Sequence, residues 1–68
     1  MSLEILDSFD ESLSFNVAFY GVPLLQGGYV WSNNVDDLLN YPGRVIGGAM
    51  IKSCWGEVRK RILEHADG

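Results

Sequence analysis

Residues 48–66 read GAMIKSCWGEVRKRILEHA, and the way this stretch folds decides what the rest of the chain must supply. Stepping about 100° per residue gathers Ile51, Cys54, Trp55, Val58, Ile62, His65 and Ala66 into an arc of about 120°. Lys52, Ser53, Glu57, Arg59, Lys60, Arg61 and Glu64 fall outside it, and Leu63 strays onto the polar side. This spacing predicts an amphipathic helix. Carried backwards, the same projection turns Val45 and Ile46 outward, so the helix is predicted to begin near Gly48 or Ala49 and to end near Ala66.

A helix with one apolar side needs a second layer, and the preceding residues provide one. In SLSFNVAF, residues 12–19, Leu13, Phe15, Val17 and Phe19 alternate with Ser12, Ser14, Asn16 and Ala18, the pattern of a half-buried strand. Tyr20-Gly21 is predicted to turn the chain into a second strand, in which Pro23 has no N–H to donate and belongs at an edge or a bulge. Gly27-Gly28 marks another turn, and YVWS reads as a strand with Tyr29 and Trp31 on one side and Val30 on the other. LEILD near the N-terminus is a candidate fourth strand. Asn34 is placed to cap a short helix with Asp36 and Asp37 in its first turn and Val35, Leu38 and Leu39 on one side, ended by Pro42-Gly43.

The expected fold is therefore α+β: a small antiparallel meander of three to four strands, a short helix, and a C-terminal amphipathic helix packed on one sheet face. Ile51, Trp55, Val58 and Ile62 would meet Phe15, Val17, Phe19 and Trp31. A chain of 68 residues makes one domain, residues 1–68, in which a single core only narrowly offsets conformational entropy. Cys54 is the only cysteine, so no internal disulfide helps, and a reducing, cytoplasmic setting is expected. The N-terminal MSLEILDS has neither a basic nor an apolar leader region, and no run approaches the ~18 apolar residues of a membrane span.

The net charge of −4 hides a division. Residues 1–43 hold Glu4, Asp7, Asp10, Glu11, Asp36 and Asp37 and no Lys or Arg. Residues 44–68 hold Arg44, Lys52, Arg59, Lys60 and Arg61 against Glu57, Glu64 and Asp67. An acidic N-terminal surface repels nucleic acid and suits a basic protein partner.

Residues 44–49, Arg-Val-Ile-Gly-Gly-Ala, fit R-x-x-G-x-A and in that form resemble the pyrophosphate-binding loop of the GNAT acetyltransferases. The resemblance implies coenzyme A or a nucleotide held at the Gly47-Gly48 turn by amides at the N-terminus of the following helix. The other reading of the same glycines is close backbone packing at the turn into the helix, and we prefer it because the chain is about half the length that fold needs. A P-loop is excluded by spacing, since Ala49, Met50 and Ile51 separate the glycines from Lys52-Ser53.

Cys54 and His65 share the helical arc but stand eleven residues apart, roughly 16 Å along a helix, too far for one metal or one proton transfer. Asp7, Asp10 and Glu11, and again Asp36 and Asp37, lack the alternating oxygen ligands of a calcium loop. No catalytic, metal or cofactor site is predicted. Arg59-Lys60-Arg61 spreads around the helix, with Glu57 and Glu64 in reach of Arg61 and Lys60, and marks nucleic-acid binding as the alternative function. The leading expectation is a non-enzymatic protein-interaction module, an adaptor, inhibitor or oligomer subunit. Its contact residues would be those left without a place in the core, Tyr20, Val30, Val45, Ile46 and Leu63, with Asp10 and Glu11 steering. The partner would be another protein, including a second copy of the chain as a homodimer.

Overall fold

The computed structural model describes residues 4–6 and 12–65. Its elements are β1 (Glu4–Leu6), β2 (Ala18–Pro23), β3 (Tyr29–Ser32), α1 (Val35–Leu39), β4 (Ile51–Cys54) and α2 (Trp55–His65). Gly27 and Gly28, both at positive φ, close the turn between β2 and β3, where Leu24 donates to the Gly28 carbonyl at 3.0 Å. β2 pairs antiparallel with β3 on one side and β4 on the other, while β1 runs parallel to β3, giving the order β1-β3-β2-β4. The class is α+β as expected, but the sheet is mixed and no meander.

Two local expectations fail, one to turn chemistry and one to a cross-strand contact. The alternation of residues 12–19 becomes strand only from Ala18. Before it, Val17 donates to the Ser14 carbonyl at 3.1 Å, and Asn16 donates its N–H to Ser14 Oγ, so serine and asparagine turn chemistry wins over the pattern and leaves Phe15 61% exposed. Tyr20-Gly21, expected to turn, lies inside β2. Gly21 faces Trp31 across the strands, and a Cβ there would stand 2.6 Å from Trp31 Cε3, so the glycine is there to let the indole lie against the backbone.

The predicted start of the long helix moves from residue 48 to Trp55. Ile51–Cys54 pairs with β2 instead, from Ala18↔Cys54 to Gly21↔Ile51, and satisfies a strand edge that helix formation would leave bare. The helix then starts against the 14–17 turn: Trp55 donates to the Val17 carbonyl at 2.8 Å and Gly56 to the Phe15 carbonyl at 3.1 Å. Two of the amide groups that a helix start leaves without an internal partner are thereby used.

Both sheet faces are covered, which creates two cores where one was expected. α2 presses Trp55 and Val58 on Phe19 and Trp31, with the Phe19 and Trp55 rings stacked at 4.9 Å. Val17 and Ile62 pack against this core, while Phe15 and Ile51, assigned to it from the pattern, are exposed. On the other face α1 lowers Leu38 onto Val22, Leu24 and Val30. Asn34 caps α1 as predicted, its side chain accepting from the Asp36 N–H at 3.0 Å while its own N–H donates to Ser32 Oγ. The second core gives Val30 an interior place at 0% exposure, so Val30 is withdrawn from the predicted contact residues.

Candidate interaction surface

Among the described residues β4 is an edge strand, and its phase follows from one bond. Since Trp55 N–H meets the Val17 carbonyl, the antiparallel alternation makes Ser53 and Ile51 exchange bonds with β2 and turns the Lys52 and Cys54 N–H groups, with the Lys52 carbonyl, to the outside. The chain runs along β2 twice. Residues 43–45 pair first: Leu25 donates to the Gly43 carbonyl at 2.8 Å, Leu24 bridges Arg44, and the Val45 N–H reaches the Pro23 carbonyl at 2.9 Å. Pro23 is tolerated because only its carbonyl is needed on that side.

Between these pairings residues 46–50 are looped out. Gly47 turns at φ 82° with open space around it, and Gly48 supplies the close approach, since a Cβ there would stand 2.7 Å from Pro23 Cγ. The packing role expected of the glycine pair belongs to Gly48, and the left-handed turn to Gly47. The turn enters β4 rather than a helix, and the Gly48 N–H is taken by the Val45 carbonyl at 3.1 Å, so the helix N-terminus that the anion-binding resemblance required lies elsewhere. Ile46 at 82% and Met50 at 38% in the loop, and Ile51 at 36% at the start of β4, are exposed in one short run beside the strand edge.

Among the described residues, charge at this edge is of one sign. Lys52 stands opposite Tyr20 and Arg44 opposite Leu24, which places both on the face that carries α1. Among the described residues neither Arg44, Lys52 nor Lys60 makes an ion pair.

The remaining predicted residues scatter. Tyr20 is half-buried against the α1-side core, and Val45 is half-buried with its backbone tied to Pro23. Leu63 is exposed and, with Phe15, Cys54 and Lys60, borders a groove of about 620 Å3 between α2 and the 14–17 turn. Asp10 and Glu11 lie outside the described residues. Of the basic run, Lys60 is exposed, Arg59 is half-buried, and Arg61 is committed inward: its Nη2 lies 2.9 Å from Glu4 Oε1 and its Cζ 5.6 Å from the Trp31 ring centre. The expected Glu57–Arg61 pairing is thus replaced, and the three cations do not form one exposed patch. Glu4 is the residue that sequence spacing missed, a nearly buried carboxylate that also accepts from Trp31 Nε1 at 2.6 Å. Among the described residues no cluster of metal-ligating side chains occurs, and no helix is long and apolar enough to cross a membrane. No protein-family model, curated protein or solved structure matches the chain.

Proposed function

We propose that the protein is a non-enzymatic protein-binding module that engages its partner along the β4 edge. The observation that carries this reading is the coincidence of a strand edge that is open among the described residues with three exposed apolar side chains, Ile46, Met50 and Ile51, on one short segment. Unpaired backbone groups give an incoming chain hydrogen bonds, and the flanking apolar residues give it area to bury. Interaction through this edge is favoured over coenzyme A binding at Gly47-Gly48, whose amides face no helix start, and over nucleic acid, because Arg61 is turned onto Glu4. A cytoplasmic setting suits the single free thiol of Cys54.

The test is site-directed photocrosslinking in cells, with a photoreactive phenylalanine analogue in place of Ile46 and, separately, in place of exposed Asp37 on α1. Crosslinked protein at position 46 that is absent at position 37, and is lost when Met50 and Ile51 are both serine, is the expected result. Equal labelling at both positions, or none at either, contradicts the assignment.

A further inference from the structure

Resting on the reading of β4 as the contact edge, we infer that its partner is an extended segment of another protein carrying acidic side chains in alternation with apolar ones, and is not a second copy of this chain. The backbone requirement is a strand, because the outward groups are the Lys52 and Cys54 N–H and the Lys52 carbonyl. The side-chain requirement follows from the two faces. Ile51 lies on the α2 face beside Gly21 and calls for an apolar neighbour, whereas Lys52 lies on the α1 face and has no anion among the described residues. A strand whose carboxylate stands opposite Lys52 places its next residue, on the other face, against Ile51.

Arg44 extends the same field. Opposite Leu24 it sits four β2 residues beyond Lys52, about 14 Å along the sheet edge, again without an ion pair among the described residues. Two copies joined β4 to β4 about a two-fold axis through Lys52 would set that lysine against its own copy, and about an axis midway to Arg44 would set Lys52 against Arg44, like-charge arrangements that cost affinity. A lysine on an edge strand is a known barrier to edge-to-edge pairing. Here the same charge that rejects a second copy attracts an acidic strand.

Amide hydrogen exchange followed by NMR tests this with two short blocked peptides, one alternating glutamate with valine and one alternating lysine with valine. The glutamate peptide is expected to slow exchange at Lys52 and Cys54 and to bind about tenfold more tightly than the lysine peptide, the effect of one or two exposed charge pairs. The double variant Lys52→Glu with Arg44→Glu should reverse that order while keeping its melting transition. Equal binding of both peptides, protection confined to other amides, or a dimer already protected at Lys52 and Cys54 without peptide overturns the inference. If the glutamate peptide fails while a crosslinker at position 46 still captures a protein, the acidic-strand inference alone falls. If both fail, the protein-binding reading falls with it.

Discussion

Trp31 lies across Gly21 so closely that a β-carbon on the glycine would stand 2.6 and 2.7 Å from two atoms of the indole ring. The same indole donates to Glu4, and Arg61 of α2 reaches the other oxygen of that carboxylate. The single ring of Trp31 in β3 thus gathers one residue of β2, one of β1 and one of α2.

Gly21→Ala should therefore destabilise the protein by about 1–3 kcal/mol, the usual cost of forcing extra volume into a filled core. A chemical denaturation midpoint shifted downward with an unchanged slope is the expected signature. Stability equal to that of the wild type would mean that Trp31 does not pack on the backbone of β2.

Removing the ring that joins α2 to the sheet should cost more. Trp55→Ala is expected to lose about 3–5 kcal/mol because the fully buried indole leaves a cavity beside Phe19 and Val58. Lys60→Ala, on the exposed side of the same helix, should stay within about 0.5 kcal/mol of the wild type. Equal thermal melts for the two variants would contradict the orientation of α2.

The Glu4–Arg61 pair is asymmetric, with side-chain exposures of 5% for Glu4 and 47% for Arg61. Arg61→Met strands a nearly buried carboxylate and should cost about 1–2 kcal/mol after allowance for solvent around the guanidinium. Glu4→Gln combined with Arg61→Met should recover part of that loss, since an amide oxygen still accepts from Trp31 and no buried charge remains. A double-mutant cycle by urea denaturation decides it; strictly additive losses would show that the two side chains do not interact.

The glycine pair separates into two roles. Gly47→Ala places a side chain in the left-handed region with nothing to clash against, at a cost of about 1–2 kcal/mol. Gly48→Ala adds a methyl group against Pro23 Cγ and should disturb the β2 side of the edge as well. NMR spectra should show shifts at Val22, Leu24 and Val45 for Gly48→Ala and shifts limited to the 46–50 loop for Gly47→Ala. The reverse pattern would exchange the two assignments.

Much of this architecture can be read from local sequence because local chemistry sets it: YVWS is a strand with its sides as predicted, Gly27-Gly28 turns, and Asn34 caps α1. What escaped depends on partners distant in the chain. Ile51, Cys54, Trp55 and Val58 are spaced i, i+3, i+4 and i+7, so their periodicity imitates one helix although the first two residues belong to β4. Only the need of β2 for a second neighbour distinguishes the cases. The parallel direction of β1 and the Glu4 contact to Trp31, 27 residues away, have no local signature. The surplus of apolar residues was legible, but of its five members Val30 fills a second core under α1 and Tyr20 packs against that core instead of forming an outer surface. Ile46 and Leu63 do lie exposed, whereas the open edge beside Ile46 emerges only once residues 51–54 are recognised as a strand.

Native-state amide hydrogen exchange of the isolated protein tests the β4 edge most directly. An alternating pattern is expected, with the Ile51 and Ser53 amides protected by β2 and the Lys52 and Cys54 amides exchanging fast. Continuous protection from residue 52 through Val58 would be the mark of an unbroken helix. That result would contradict the edge strand and, with it, the binding surface.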